Sequence, residues 1–243
     1  MDEQRTTTTS PDPAGDDSHN PVATEALRAY LGAAYDKVAG FHDLLAQEGV
    51  TRGLIGPREV PRLWERHLMN SAAVAPFLPA TGSVVDIGSG AGLPGVVLAA
   101  MRPELHVVLL EPMERRVTWL SEVVAALGLT SVEVVRGRAD ELHHKRLFDA
   151  VTARAVAPLD RLVTWSLPLL RQGGVLVALK GSQAEQELEA ARQAVEDAGG
   201  GPGEVLEART VDGMDPTTVI RIERRASPVV QKQAKNMSSR RSK

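Results

Sequence analysis

Five short valine-rich runs, separated by longer segments with helical periodicity, constrain the fold of this chain more than any other feature. The runs cover residues 83–87, 106–110, 132–135, 148–152 and 175–179. The helical segments between them cover residues 93–101, 112–127, 159–170 and 183–198. Strands that are apolar on both faces are typical of a parallel sheet covered by helices on both sides. The pattern therefore predicts a doubly wound α/β domain.

The ends of the chain add a cap, a closing hairpin and two tails. Apolar residues recur at helical spacing over 23–45, which predicts one long helix or two short ones, and a second helical region is predicted over 61–77. The glycine-rich stretch 199–203 predicts a sharp loop, and residues 204–210 and 217–223 predict an antiparallel hairpin. The predicted fold is Rossmann-like, with a mostly parallel, seven-stranded sheet. The predicted parts are a disordered acidic tail (1–20), a helical cap (21–80), the α/β domain (81–225) and a basic, disordered tail (226–243).

The composition excludes several classes of chemistry. The chain has 243 residues, enough for one full α/β domain, and no cysteine. Disulfides, thiolate metal sites and cysteine nucleophiles are therefore excluded. No metal site is expected, because the neighbouring His143 and His144 would diverge on a helix. No secretory signal or run of membrane-spanning length is visible, so a cytoplasmic protein is expected.

The charge is distributed unevenly along the chain. The net charge is −3, but residues 1–20 carry −4, residues 21–220 carry −6 and residues 221–243 carry +7. A basic tail on an acidic body favours a polyanionic partner such as nucleic acid. A solvated, disordered terminus explains the charge equally well, so the two interpretations stay open at this point.

A glycine cluster follows the first predicted strand, where such folds bind ligands. Residues 84–95 read Val-Val-Asp-Ile-Gly-Ser-Gly-Ala-Gly-Leu-Pro-Gly. A P-loop is excluded, because Leu-Pro-Gly stands where Gly-Lys-Ser/Thr is required. A dinucleotide fingerprint fails at its third anchor, where Leu93 replaces a small residue. Asp86 also argues against a dinucleotide, because its carboxylate would repel a pyrophosphate.

The same carboxylate suits a cationic ligand without phosphate, such as S-adenosylmethionine (AdoMet). Glu111 ends the second predicted strand, where a carboxylate can accept from ribose hydroxyls. Asp140 follows the third strand and could accept from the adenine amino group. Taken alone, each acid could instead stabilise a helix dipole. The pattern of a strand followed by Asp-x-Gly-x-Gly-x-Gly resembles motif I of the class I AdoMet-dependent methyltransferases.

Two features that the sequence lacks reduce the range of possible methyl acceptors. Methylation at carbon 5 of a pyrimidine ordinarily needs a cysteine nucleophile, and the chain has none. Enzymes that methylate exocyclic amines usually carry Asn/Asp-Pro-Pro-Tyr/Phe after the fourth strand. Residues 152–159 read Thr-Ala-Arg-Ala-Val-Ala-Pro-Leu instead.

Six motifs that occur in a fixed order along the chain make the resemblance to one family specific. They are residues 64–71 (Trp-Glu-Arg-His-Leu-Met-Asn-Ser), the loop 88–95, Arg115-Arg116, residues 138–141 (Arg-Ala-Asp-Glu), Arg154-Ala155 and residues 179–181 (Leu-Lys-Gly). Over roughly residues 25–225 the chain resembles the bacterial small-subunit ribosomal RNA guanine-N7 methyltransferase family, RsmG, also called glucose-inhibited division protein B. One departure is Asn70, where the family usually has Asp.

The resemblance implies methyl transfer from AdoMet to N7 of a guanine in 16S rRNA of the small ribosomal subunit or its precursor. N7 carries a lone pair and no proton at neutral pH, so this acceptor needs no general base. Alignment and electrostatics would then dominate catalysis. The chain is expected to act as a monomer. The alternatives are a class I methyltransferase for a small molecule or protein, and a non-catalytic AdoMet-binding ribosome-assembly protein.

The predicted site residues fall into three groups. The cofactor group is Asp86, Gly88, Gly90, Gly92, Leu93, Glu111, Ala139, Asp140 and Arg154. The catalytic group, with positioning or electrostatic roles, is Arg154, His67 and Arg66. The RNA-binding group is Arg115, Arg116, Arg138 and Lys180. For Arg154 the alternative is a helix-capping or surface role, and for His67 it is packing in the cap.

Overall fold

The computed structural model describes residues 21–225, and a seven-stranded sheet forms its centre. The strands are β1 (Gly82–Ile87), β2 (Leu105–Glu111), β3 (Val132–Arg136), β4 (Phe148–Arg154), β5 (Leu170–Lys180), β6 (Gly200–Ala208) and β7 (Thr217–Arg224). Their order in the sheet is β3-β2-β1-β4-β5-β7-β6. Strands β1 to β5 are parallel, and β7 runs antiparallel to both β5 and β6. The predicted doubly wound fold with its closing hairpin is confirmed.

Helices cover both faces of this sheet. The α-helices are α1 (Pro21–Leu31), α2 (Tyr35–Glu48), α3 (Asn70–Ala72), α4 (Gly95–Met101), α5 (Glu114–Ala126), α6 (Leu159–Ser166), α7 (Ala184–Ala190) and α8 (Arg192–Asp197). The 3-10 helices are Gly32–Ala34, Pro57–Arg62, Ala75–Phe77, Ala139–Leu142 and Leu167–Leu169, and a π-helix covers Leu63–Met69.

The strands bury both faces, which explains their continuous apolar runs. Val84 belongs to one buried cluster together with α4, α5 and the N-terminal helices. The next residue, Val85, belongs to the opposite cluster with α6, α7 and α8. Successive side chains of a strand point to opposite faces, so most residues of a central strand must be apolar. The cap residues share the first cluster with the sheet, and Phe41 of α2 is completely buried in it.

The second helical region of the cap differs from its prediction. Instead of one helix over 61–77, the chain forms the 3-10 helix Pro57–Arg62, the π-helix Leu63–Met69, the short α3 and the 3-10 helix Ala75–Phe77. Proline lacks the N–H that continues a helical hydrogen-bond ladder. Pro61 and Pro76 therefore limit how far a regular α-helix can extend.

Three smaller expectations also need correction. The predicted loop 199–203 is confined to a turn at Gly199, because Gly200 already begins β6, whose pairing with β7 is irregular up to Gly203. The predicted helix 183–198 is divided at Ala191 into α7 and α8. The predicted fifth strand begins earlier, at Leu170. The predicted tails 1–20 and 226–243 lie outside the described residues.

The order of the strands in the sheet reverses at β1. Strands β2 and β4 lie on either side of β1, and the chain winds outward from there in both directions. Ligands of doubly wound folds bind at the carboxyl ends of the strands beside this reversal. Within residues 21–225, no helix is both long and apolar enough to cross a membrane.

Candidate functional site

Asp86 lies at the carboxyl end of β1 and is completely buried. Its Oδ2 accepts a hydrogen bond of 3.1 Å from the N–H of Gly95. Its Oδ1 is buried without a hydrogen-bond partner among the described residues. Burial raises the pKa of Asp86 to about 7, and the charge of Arg154 opposes part of that rise. A buried carboxylate with an unpartnered oxygen has the chemistry to accept a cationic group.

The glycine loop 88–95 is packed tightly around this carboxylate. A Cβ at Gly95 would lie 2.3 Å from Leu109 Cδ2 and 2.7 Å from Asp86 Oδ2. Gly92 has a φ of +106°, and a Cβ there would lie 3.0 Å from Cζ of Phe41 in α2. The loop therefore needs glycine both for its backbone conformation and for its contact with the cap.

Glu111 ends β2 and is also buried. Its Oε2 accepts from the N–H of Gly90 at 3.0 Å, and its Oε1 accepts from the N–H of Met113 at 3.0 Å. The carboxylate therefore joins the loop after β1 to the turn after β2. Each carboxylate oxygen has a second acceptor site, which leaves Glu111 able to accept from a ribose diol.

The other predicted cofactor residues lie at the same edge of the sheet. Ala139 and Asp140 begin the 3-10 helix that follows β3, and the N–H of Gly137 donates to the carbonyl oxygen of Glu111 at 3.2 Å. Ala139 is buried and Asp140 is exposed. Gly88, Gly90, Gly92 and Leu93 follow β1 in the loop described above. The fold thus brings the predicted cofactor group to neighbouring strand ends.

Arg154 connects β4 to the cap through His67. Its Nη2 donates to Nδ1 of His67 at 3.0 Å, and the carbonyl oxygen of Arg66 lies 3.5 Å from its Nη1. On the other side of the imidazole ring, Nε2 lies 2.6 Å from Oε2 of Glu59. Burial lowers the pKa of both His67 and Arg154. The three predicted catalytic residues therefore meet at the end of β4, although the Arg66 side chain itself is exposed.

A cavity of about 650 Å³ opens beside Arg154 at the carboxyl ends of β4 and β5. Asn70, Lys180, Gln183 and Thr217 line its walls with Arg154. Asn70 donates from Nδ2 to the carbonyl oxygen of Arg66 and accepts at Oδ1 from the Thr217 hydroxyl, each at 3.0 Å. Asn70 thus anchors the cap to β7 at the mouth of the cavity.

The four predicted RNA-binding cations differ in their exposure to solvent and in their ion pairs. Arg115 and Arg138 are exposed. Arg116 is partly buried, with Nη1 3.9 Å from Oε2 of Glu111. Lys180 donates to Oε2 of Glu187 at 2.6 Å and to the carbonyl oxygen of Ala157 at 3.0 Å. The ammonium group of Lys180 therefore lines the cavity. It is already paired, so it is not a free surface cation.

Sequence reasoning missed two residues of this site. Glu59, the partner of His67, lies in a different helix type and carries no motif of its own. Thr152 faces Asp86 across β1 and β4, is completely buried, and its hydroxyl has no partner among the described residues. The alternation of β4 offered one signal, because Thr152 and Arg154 share a face of that strand. Across residues 21–225, no group of three His, Asp or Glu side chains is placed to hold a metal ion.

Comparisons with known proteins identify the family of the chain. The family model of rRNA small subunit methyltransferase G matches residues 34–210. Ribosomal RNA small subunit methyltransferase G of Thermobifida fusca is 51% identical over 215 residues, covering 85% of this chain and 91% of that protein. The enzyme of the same name from Beutenbergia cavernae is 59% identical over 170 residues, covering 70% of this chain and 80% of that protein.

Comparison with solved structures shows which proteins share this fold. TYW2 from M. jannaschii in complex with AdoMet superposes with a TM-score of 0.51 at 18% identity. That match covers 65% of this chain and 76% of the other chain. At this identity it establishes the shared architecture, whereas the sequence relatives establish descent. The chain belongs to the rRNA small subunit methyltransferase G family.

Proposed function

We propose that this chain transfers the methyl group of AdoMet to N7 of a guanine in 16S ribosomal RNA. The observation that carries the proposal is the similarity to ribosomal RNA small subunit methyltransferase G, which extends over 85% of the chain. That similarity spans the glycine loop, the cap motif and the end of β4 together. The substrate is the small ribosomal subunit or its precursor.

The residues at the strand ends fit AdoMet. Asp86 can offer the cationic amino group its Oδ1, which is buried and has no partner in the part of the chain that the structure describes. Glu111 retains acceptor sites for the ribose hydroxyls, and the exposed Asp140 can accept from the adenine amino group. AdoMet supplies, when bound, a methyl group on a positively charged sulfur.

The chain's own contribution to the reaction is alignment. The N7 lone pair attacks the methyl carbon as the carbon–sulfur bond breaks, and no proton needs to be removed. Arg154 lines the cavity and interacts with the charge of Asp86, so it can donate to the cofactor carboxylate or to guanine O6. Holding donor and acceptor in line accounts for large rate enhancements without a general base.

The cavity beside Arg154 is the proposed acceptor pocket. Its volume of about 650 Å³ lies within the usual range for ligand sites. Arg154, Asn70 and Gln183 offer polar groups to a base that has left its stack. The exposed Arg115 and Arg138 would contact RNA phosphates on the rim.

Mapping of N7-methylguanine in cells tests the proposal. Small-subunit rRNA from a strain without this protein is compared with rRNA from the same strain carrying the wild-type or the Arg154→Ala chain. Chemical cleavage at N7-methylguanine should appear at one position with the wild-type chain only. Equal cleavage in all three strains would contradict the proposal. It would leave a small-molecule or protein methyltransferase, or a non-catalytic assembly protein, as the alternatives.

The monomeric state and the cytoplasmic location stay predictions. Light scattering of the purified chain should give a mass near 26.0 kDa. A mass near twice that value would contradict the first expectation. Cell fractionation checks the second, since the chain should accompany small ribosomal subunits.

A further inference from the structure

Three side chains from two parts of the molecule form a hydrogen-bonded series at the mouth of the site. Glu59 belongs to the 3-10 helix Pro57–Arg62, His67 to the π-helix that follows it, and Arg154 to the end of β4. The carboxylate of Glu59 lies 2.6 Å from Nε2 of His67, and Nδ1 of His67 lies 3.0 Å from Nη2 of Arg154. The imidazole ring thus bridges the cap and the sheet.

The chemistry of the partners fixes the protonation of His67. A guanidinium group has donors only, so Nδ1 must accept and carries no proton. The single proton of the neutral ring then lies on Nε2, where it is donated to Oε2 of Glu59. Arginine on one side and a carboxylate on the other therefore select one tautomer of a neutral imidazole.

The surroundings favour this neutral ring. The charged groups that face His67 are Glu59 and Arg62 from the 3-10 helix and Arg154 from β4. Burial and the two arginines lower the pKa of His67, and Glu59 opposes them. Arg154 in turn faces the carboxylate of Asp86. The guanidinium of Arg154 is therefore stabilised by the acceptor nitrogen of His67 and by the charge of Asp86.

We propose that Glu59 is a positioning residue that fixes the tautomer of His67 and thereby holds Arg154 in the orientation that methyl transfer requires. This inference rests on the proposed function. Glu59 touches neither Asp86 nor the glycine loop in any hydrogen bond between described residues, so it acts through His67. A displacement of about 1 Å at a reacting centre can reduce a rate by about 100-fold.

The proposal gives a signed pH dependence. When the pH falls through the pKa of His67, Nδ1 becomes protonated and can no longer accept from Arg154. The turnover number kcat should therefore fall on the acid side. Because the Glu59 carboxylate raises the pKa of His67, Glu59→Gln should move this acid limb to lower pH. In the same variant the amide can donate to Nε2 and favour the opposite tautomer, so kcat at pH 8 should fall about 10-fold to 100-fold.

The experiment measures kcat from pH 5.5 to 8.5 with saturating AdoMet and small ribosomal subunits lacking the modification. Saturation makes the profile report the enzyme–substrate complex, in which Asp86 is paired with the cofactor. Glu65→Gln is the matched control, since Glu65 is an exposed carboxylate of the same π-helix with no ion pair to any described residue. It should retain the wild-type rate and profile. His67→Phe should lose the acid limb altogether.

Two results would overturn the proposal. The first is a Glu59→Gln variant with the rate and acid limb of the wild type. The second is a ¹⁵N spectrum of the wild-type chain at pH 8 in which His67 carries its proton on Nδ1. The spectrum needs no activity, so it separates a failure of this inference from a failure of the proposed function, which inactivity of the wild-type chain toward rRNA would show. An Nε2 proton in the wild type that is lost in Glu59→Gln would support the proposal.

Discussion

Asp86 combines a structural cost with a proposed role in cofactor binding. A carboxylate buried without full hydrogen bonding is unfavourable when charged, and this is why its pKa rises to about 7. Gly95 stabilises one oxygen, and the other has no partner within residues 21–225. A bound cation would supply the missing partner. The cofactor and the protonation of Asp86 are therefore expected to be coupled.

The first prediction concerns AdoMet affinity and pH. Since the cationic amino group favours the charged carboxylate, the pKa of Asp86 should fall on binding. AdoMet affinity should then decrease as the pH drops below about 7, by up to about 10-fold per pH unit, with proton release on binding. Calorimetry at several pH values and in two buffers measures both effects. A dissociation constant that does not change between pH 6 and 8 would contradict the assignment.

The second prediction concerns Asp86→Asn and stability. The folded-state pKa of about 7 lies above the ordinary value of 3.8, so the buried carboxyl group costs stability as the pH rises from about 4 to about 7. The neutral variant should be more stable than the wild type at pH 8, by at most roughly 4 kcal/mol, and should gain little at pH 4. Urea unfolding of both chains at the two pH values measures the difference. A difference in stability that is equal at both pH values would contradict this prediction. The Asp86→Asn variant should also bind AdoMet far more weakly than the wild type.

Single residues also show the limits of sequence reasoning. Asp86 and Glu111 could be predicted, because each follows a strand whose direction and end are visible in the sequence. Glu59 could not, because its distance from His67 depends on a change from 3-10 to π geometry that leaves no periodic signal. The pairing of Lys180 with Glu187 likewise depends on the turn between β5 and α7.

At the scale of elements, the π-helix Leu63–Met69 orients the cap toward the site. Its wider turn presents His67 to Arg154 while Leu68 and Met69 remain buried. Segments of π-helix are frequent at functional sites, where they place a side chain that a regular α-helix would direct elsewhere. The sequence predicted a helical region here. The prolines and the local packing determine which type of helix forms at each position.

The third prediction tests the anchor between α3 and β7, which Asn70 and Thr217 form. Asn70→Ala removes both hydrogen bonds of the side chain, and Thr217→Val removes only the shared one. Each should destabilise the fold by about 1–2 kcal/mol, with a coupling energy near 1 kcal/mol in the double-mutant cycle. Urea unfolding of the four chains gives the coupling. Strictly additive effects would show that the two side chains do not stabilise each other.

At the scale of the whole molecule, the sheet order and the cap together create the site. The alternation of strands and helices was sufficient to predict the architecture, since a strand buried on both faces leaves few possible arrangements. The cap could be predicted as helical, but its contact with the glycine loop through Phe41 and Gly92 depends on long-range packing. The cleft therefore depends on both parts folding against each other.

The fourth prediction concerns the basic C-terminal residues 226–243, which lie outside the described part of the chain. They contain Lys232, Lys235, Arg240, Arg241 and Lys243. If they contact phosphates, their deletion should weaken RNA binding more at low salt than at high salt, and should reduce the slope of log K against log salt by about 0.7–0.9 per lost contact. Filter binding over a salt series measures this. An unchanged slope would exclude the tail from binding.

The most direct test of the central claim uses the purified chain, AdoMet labelled in its methyl group and small ribosomal subunits from cells that lack this protein. After the reaction, the rRNA is digested to nucleosides and the labelled product is identified by mass spectrometry. We expect N7-methylguanosine, at about one per subunit, with little or none from Asp86→Asn or Arg154→Ala. Label in a different nucleoside, in ribosomal protein, or at the wild-type level with both variants would contradict it.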